Sequence, residues 1–398
     1  MRTVTLRPGR SKPLWHGHPW VFADAVATVD GPDGPDDPDD DWVRVADANG
    51  KVIGRGWYSP HSAIRVRLVD LGPDGAPEDA VVARRVEAAV ALRRRLFPDG
   101  CGTDAYRLVH GEGDGLPGLV VDRYGPVLVA QFATRPLVRR REALSRALLA
   151  ATGATSLVGR AGGKEEEEGV EATAFAAGAP PPQPTVVSED GVAFEVDVVS
   201  GQKTGHYADQ RENRRLVAEV AAGSRVLDLF SGTGGFALRA LRAGARAVEA
   251  VDASAASLAA GARNAARNGV GAGLSSVEAD VGERLDAHAR AKTTFDVVVC
   301  DPPRFAPTKA SLERALRAYQ AVHGKALARV APGGFAALFS CSGAVDNETL
   351  AETIRAALRD VNRRATVLRV LAAGPDHPVA LAAPEGRYLK GFLLRVDA

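Results

Sequence analysis

Cysteine is scarce in this chain: three in 398 residues, at positions 101, 300 and 341. So far apart, they form neither a disulfide framework nor a metal-ligand motif, and a reducing cytoplasm is the simplest setting for them. Long apolar runs are missing, which leaves nothing to span a bilayer as a helix. The N-terminal Met-Arg-Thr-Val-Thr-Leu-Arg lacks the apolar core of a signal peptide. Net charge is almost absent, with 50 Lys and Arg against 49 Asp and Glu. That excludes a global basic field, so any face for nucleic acid must be a local patch. The single methionine, among many Ala, Arg and Gly, follows codon composition and says nothing of function. What remains is ordinary for a folded chain, 45% hydrophobic and 25% charged. The length calls for two or three domains.

The most informative stretch is Arg225–Phe236, Arg-Val-Leu-Asp-Leu-Phe-Ser-Gly-Thr-Gly-Gly-Phe. An apolar run ends in an acid, opens into glycines and continues into Ala-Leu-Arg-Ala-Leu-Arg, a good helix former. Strand, glycine turn and helix begin a nucleotide-binding α/β unit. Gly232 and Gly234 let backbone approach a ligand where a Cβ would clash. Asp228 at the strand end would repel a pyrophosphate but suits a ligand with a positive amine. A second run, Ala247–Val251, ends in Asp252, which can accept from ribose hydroxyls, and a third ends in Asp280. Three acids at three strand ends fit S-adenosyl-L-methionine better than a dinucleotide. The stretch resembles the first motif of the class I methyltransferases, Asp-Leu-Phe-x-Gly-x-Gly. That resemblance implies a loop Leu229, Phe230, Ser231, Gly232, Thr233 and Gly234 around the cofactor, with Asp228 near the methionine amine. It also implies Asp252 and Ala253 at the ribose and Asp280 and Val281 near the adenine.

Residues 1–72 read as short strands and turns, a small β-barrel. Trp42–Ala46, a turn at Asp47–Gly50 and Lys51–Tyr58 give a hairpin, and Ile64–Val69 alternates apolar and basic as a half-exposed strand does. His18–Phe22 and Gly54–Arg65 resemble the PUA-like domain of ribosomal RNA methyltransferases, which implies RNA binding. The acidic, proline-punctuated Asp30–Asp41 is expected to be a solvated loop turned away from RNA. Residues 73–195 read as a central α+β domain. It starts with a helix over 80–96 carrying a solvated basic face, and Glu112 and Asp114 serve turns rather than acid catalysis. A low-complexity acidic and Pro-rich insert, expected to be mobile, occupies 161–185. The remainder, 196–398, reads as the cofactor-binding methyltransferase domain, an α/β fold of the Rossmann-like kind with a mixed, mostly parallel sheet.

Two further motifs carry chemistry. Phe295–Cys300 is a buried strand running into Asp301-Pro302-Pro303, where two prolines stiffen the backbone just past the strand end. Val330–Ser340 is a turn and strand ending in Ser340-Cys341-Ser342-Gly343. Free cysteines are usually core residues, as expected for Cys101 and Cys300, but Cys341 lies among serines and a glycine. Carbon 5 of cytosine is not nucleophilic until a thiolate adds to carbon 6, so Cys341 is the candidate nucleophile. Asp301 is the candidate partner for the base and for proton handling.

Gly201-Gln-Lys-Thr-Gly-His-Tyr207, Ser340–Gly343, Asp376-His-Pro378 and Pro384–Phe392 together resemble the bacterial large-subunit ribosomal RNA cytosine-5 methyltransferases with an N-terminal PUA-like domain. The resemblance covers nearly the whole chain. It implies Cys341 as nucleophile, Tyr207 and Gln210 among the cofactor contacts, large-subunit RNA as partner and a homodimer as a possible assembly. His206 stands where an aromatic is common, and Arg304 stands where related enzymes carry a second cysteine. His377 is a further candidate, with a turn role as its alternative. Two other functions stay open: an RNA amino-methyltransferase that uses Asp-Pro-Pro without a thiolate, and a non-catalytic RNA-binding assembly factor.

Overall fold

The computed structural model describes residues 1–30, 41–160, 168–169, 175–201, 204–305 and 311–397. They divide into two compact units. The first is Met1–Val187 with Val196–His206 and Pro375–Gly386; the second is Ser188–Glu195 with Tyr207–Gly374 and Arg387–Ala398. Among the described residues no helix is long and apolar enough to cross a membrane.

The first unit holds two sheets. Strands β1 (Thr3–Leu6), β2 (Trp20–Phe22), β3 (Val26–Asp30), β4 (Trp42–Ala46), β5 (Val52–Tyr58) and β6 (Ile64–Leu71) form one sheet, in the order β2-β6-β5-β4-β1-β3. The expected hairpin is present. Strands β4 and β5 pair antiparallel, and the Asp47 carboxylate accepts from the amides of Asn49 and Lys51 in the turn. Strands β7 (Ala105–His110), β8 (Leu119–Tyr124), β9 (Val127–Phe132), β10 (Ser156–Arg160) and β11 (Phe175–Gly178) form the second sheet. The helix Glu78–Leu96 shares a core with it through Val86, Ala89 and Val90. Strands β12 (Thr185–Glu189) and β13 (Val192–Val196) pair as a sheet of their own.

Four expectations for charged residues are corrected here, all for one physical reason: a buried charge must be paired. The helix does not present all its arginines to solvent. Arg93 is fully buried, forks onto both oxygens of Asp114 at 2.5 and 2.8 Å, and donates to the Asp376 carbonyl. In β6, Arg67 is buried rather than half-exposed, and its partner at 2.9 Å is Glu168. Glu168, from the insert expected to be mobile, is itself 2% exposed. Asp41, the last residue of the acidic stretch, is also buried and accepts from Arg139 and Arg140. The rest of that stretch, 31–40, lies outside the described residues, as do 161–167 and 170–174 of the insert and Gln202 and Lys203 of the Gly-Gln-Lys-Thr-Gly motif. Glu112 and Asp114 sit in a short helical turn, where Glu112 accepts from the Trp20 indole at 2.9 Å and Asp114 pairs with Arg93. This is the structural role expected of them.

The second unit is built on one seven-stranded sheet. Its strands are β14 (Arg225–Leu229), β15 (Ala247–Asp252), β16 (Leu274–Glu278), β17 (Phe295–Cys300), β18 (Val330–Ser340), β19 (Ala365–Ala372) and β20 (Lys390–Val396), in the order β16-β15-β14-β17-β18-β20-β19. The first five strands in that order are mutually parallel, while β20 runs antiparallel between β18 and β19. Val297, Val298 and Val299 are 0% exposed, so β17 is apolar on both faces. This is how a parallel strand covered by helices reads. Two apolar clusters fill the layers. One carries Leu227, Leu229, Val298 and Leu338, the other Val226, Phe236, Val297 and Phe339.

Candidate active site

The parallel strands finish level with one another. Leu229 pairs with Val251 and with Cys300, and Cys300 pairs with Leu338, two residues before Ser340. The carboxyl ends of β14, β15, β17 and β18 therefore form one edge, where an open α/β sheet places its ligands.

At the β14 end the chain turns sharply. Phe230 has φ +60°, a left-handed conformation that costs a non-glycine residue about 1–2 kcal/mol. Its ring packs against the core cluster behind the strand, which holds the turn in place. Gly232 and Gly234 follow at φ +54° and +84°, and the two differ in purpose. A Cβ on Gly232 would meet nothing within 4 Å, whereas one on Gly234 would lie 3.2 Å from Leu238 and 3.6 Å from Gly261 on the next helix. Gly234 is thus needed by the protein, and Gly232 leaves room for a ligand. Buried Asn264 supports the loop by donating to the Thr233 carbonyl.

Asp228 is buried and accepts from the Ser231 hydroxyl at 2.7 Å and the Ala237 amide at 3.1 Å. Burial, followed by the nearby carboxylates of Asp301 and Asp252, pushes its pKa up to about 7 despite those bonds. Asp252 accepts from the Gly232 amide at 2.8 Å and the Ser254 amide at 2.8 Å. Each of its oxygens keeps a second lone pair for a ribose hydroxyl. Ala253 follows it on the surface. The Asp252 carbonyl accepts from Ala279, which brings Asp280 alongside. Asp280 caps the helix Val281–Arg290 by accepting from Glu283 at 3.0 Å, and Val281 is buried beneath it. The sequence did not reveal this capping role.

The catalytic candidates stand on the neighbouring ends. Gln210 donates to Asp301 at 2.8 Å and accepts from Asn213 at 2.6 Å, so its amide holds the Asp-Pro-Pro carboxylate. Tyr207, three residues earlier, accepts through its carbonyl from Arg214, whose guanidinium is forked onto buried Glu189. Cys341 is half-buried, with its sulfur 3.8 Å from the Pro302 carbonyl. Of the two cysteines expected in the core only Cys300 is there; Cys101 sits in an exposed turn after the helix Glu78–Leu96, where no apolar layer covers it. Cys300 is buried with its thiol pKa pushed up by burial and then by Asp301 and Asp228. That environment disfavours the thiolate nucleophile. His377 belongs to the first unit, where its ring lies 5.0 Å from His110 and its neighbour Asp376 accepts from the Arg107 amide. His206 is buried there too, and its backbone bonds the Tyr124 hydroxyl.

Two residues escaped the sequence reading. Tyr319, on the helix Leu312–Leu327, packs its ring against Phe305 at 4.8 Å between centroids, tilted by 51°, and shares a hydrogen bond with Ser342 at 2.9 Å. Lys390 donates to the carbonyls of Ser342 at 2.6 Å and Tyr388 at 2.8 Å. Its place in the Tyr-Leu-Lys-Gly-Phe motif was the available signal; for Tyr319 there was none.

The residues fit S-adenosylmethionine. A carboxylate driven toward neutrality by burial, with neighbouring carboxylates adding to it, is relieved by a bound cation, and the open face of Gly232 leaves space beside it. The strand order, the positive-φ glycine loop and the acids at the strand ends define a class I methyltransferase.

Comparison with known proteins agrees. A PUA-like domain profile matches residues 4–70, and an S-adenosylmethionine-dependent methyltransferase profile matches residues 106–378. Proteins named ribosomal RNA large subunit methyltransferase I, from Shewanella denitrificans and Shewanella amazonensis, are 36% and 37% identical to this chain, with 99% of each partner covered. A methyltransferase crystal structure with SAH superposes at TM-score 0.84 and 21% identity, covering 99% of this chain and 100% of that one. The chain belongs to the ribosomal RNA large subunit methyltransferase I family of S-adenosylmethionine-dependent methyltransferases.

Proposed function

We propose that this enzyme methylates carbon 5 of a cytosine in large-subunit ribosomal RNA, with Cys341 as the covalent nucleophile. One observation carries the reading: a half-buried thiol at the end of β18 lies 3.8 Å from the backbone of the Asp301-Pro-Pro turn. Nucleophile and base-contacting carboxylate thus share one edge. The target base must leave its stack to reach them. The Cys341 thiolate adds to carbon 6, and the ring electrons it displaces make carbon 5 enamine-like. S-adenosylmethionine, when bound, supplies an electrophilic methyl group to that carbon. Loss of the carbon 5 proton restores the double bond and expels the thiolate. Asp301, fixed by Gln210, bonds the cytosine ring or amine and is the candidate to handle the proton. Asp228 holds the cofactor amine, Asp252 the ribose and Asp280 the adenine; Tyr207 and the loop from Leu229 to Gly234 complete the cradle. An RNA target of this kind implies work in the cytoplasm, and the PUA-like segment is the natural RNA anchor.

The test is methyl transfer from labelled S-adenosylmethionine to unmodified large-subunit ribosomal RNA, digested to nucleosides, beside Cys341→Ala. Label in 5-methylcytidine that drops at least about a thousandfold in the variant is expected. Label in a methylated purine, indifferent to Cys341→Ala, would replace the thiolate mechanism with amino-methylation. Cofactor binding with no transfer to naked or assembled RNA would favour the assembly-factor function.

A further inference from the structure

We propose that Lys390, reaching across from the antiparallel strand β20, takes the proton of the Cys341 thiol and holds the thiolate beside it. This rests on the reading of Cys341 as nucleophile. The geometry comes from strand pairing. Lys390 is the register partner of Ser340, and its Nζ donates to the Ser342 carbonyl at 2.6 Å. Lys390 is therefore linked to the residues on both sides of Cys341, to Ser340 by strand pairing and to Ser342 through its amine. Its second bond, to the Tyr388 carbonyl at 2.8 Å, fixes it from the segment just before its strand. Lys390 is 4% exposed, an uncommon burial for lysine and one that needs a reason.

Charge around the pair is mixed and close to balanced. Lys390 feels the Cys341 sulfur and the Asp346 carboxylate, which favour its charged form, and Arg304, which opposes it. Tyr319 faces the same sulfur from the helix Leu312–Leu327, and Asp301 lies on the β17 turn. Asp346 is engaged as the cap of the helix Asn347–Asp360. Burial lowers the Lys390 pKa to about 8, close to that of a thiol. Near neutral pH the amine and ammonium forms are therefore both within reach. In the amine form two N–H groups satisfy the two carbonyls and the lone pair remains for a proton. The S–H bond breaks, an N–H bond forms, and a thiolate–ammonium pair results with no change of oxidation state. A lysine that only tied down two carbonyls would leave the thiol's ionisation unchanged, and this separates the two roles.

The experiment follows alkylation of Cys341 by iodoacetamide against pH in the full chain with Cys101→Ser, since Cys300 is fully buried. The expected native midpoint lies below the ~8.5 of a free thiol. Lys390→Gln keeps a donor without charge; it should raise the midpoint by about one pH unit and slow alkylation at neutral pH about tenfold. Lys390→Arg should keep the midpoint low. A native midpoint at or above that of a free thiol overturns the proposal without any variant. So do superimposable native and Lys390→Gln profiles in proteins that bind S-adenosylhomocysteine equally. Full methyl transfer by Cys341→Ala would instead sink the nucleophile reading and leave the thiol profile intact, so the two failures are told apart.

Discussion

The edge of the second unit's sheet has two ends of unlike character. At β14 and β15 the side chains are carboxylates, Asp228 and Asp252, and the electrostatic cost falls on Asp228, whose pKa is driven up to about 7. At β18 and β20 a thiol faces a buried lysine with Arg304 nearby, and there the cost falls on the cation, brought down to about 8. The titrating groups at the two ends are thus of opposite sign, a carboxylate at one and an amine at the other. The first favours a ligand with a positive amine and hydroxyl donors; the second favours an anion, the thiolate. The proposed cofactor site and the proposed nucleophile can share one edge because their fields do not ask for the same thing.

This contrast can be broken one end at a time. The largest effect is expected from Cys341→Ala, which should abolish transfer yet leave S-adenosylhomocysteine binding within about twofold, read by calorimetric titration. Asp252→Ala should do the reverse. Losing a charged acceptor for hydroxyls costs about 1.5–3 kcal/mol, so binding should weaken roughly ten- to a hundredfold while Cys341 alkylation is unaltered. Equal damage to both readouts from either variant would mean that the two ends are not separable.

A smaller effect comes from pH. Asp228 in the free protein binds its proton up to about pH 7, whereas beside a bound amine it must be ionised. Binding therefore releases a proton below that pH, and affinity should rise as pH rises toward about 7 and level off there. Between about pH 5 and 6.5 the slope should approach tenfold per unit for S-adenosylhomocysteine, and Asp228→Asn should flatten it. A flat native profile would remove Asp228 from the amine. The smallest effects separate the two glycines. Gly232→Ala and Gly234→Ala should each lose about 1–2 kcal/mol from positive φ. Only Gly232→Ala should also weaken cofactor binding, modestly, because its new methyl group enters open space rather than Leu238. Unchanged binding by Gly232→Ala would argue against its side of the loop as the ligand face.

Sequence could show much of this edge because its signals are local. The strand, glycine turn and helix of 225–242 lie in one window, and acids close apolar runs at 252 and 280. Cys341 stood out by its polar neighbours, and the hairpin over 42–58 by its turn residues. What stayed hidden was pairing across long separations. Arg93 read as one more surface arginine because its partners are Asp114 and the Asp376 carbonyl, 283 positions on. Arg67 with Glu168 and Gln210 with Asp301 are the same case. A charge pattern shows which residues are polar; it does not show which of them a fold will bring together.

Strand β20 has a consequence for how the chain is made. It comes after all the other strands in sequence yet lies inside the sheet, between β18 and β19. During synthesis β14, β15 and β17 emerge early and can pair with one another, so the cofactor end can assemble while the ribosome is still working. Strands β18 and β19 have no bond to each other and must wait for β20, whose Phe392, Leu393, Leu394 and Val396 supply the buried apolar surface that joins them. A chain stalled between Cys341 and Lys390 would hold the thiol with neither its neighbouring strand nor its lysine. Order of translation thus completes the Cys341 end of the edge last.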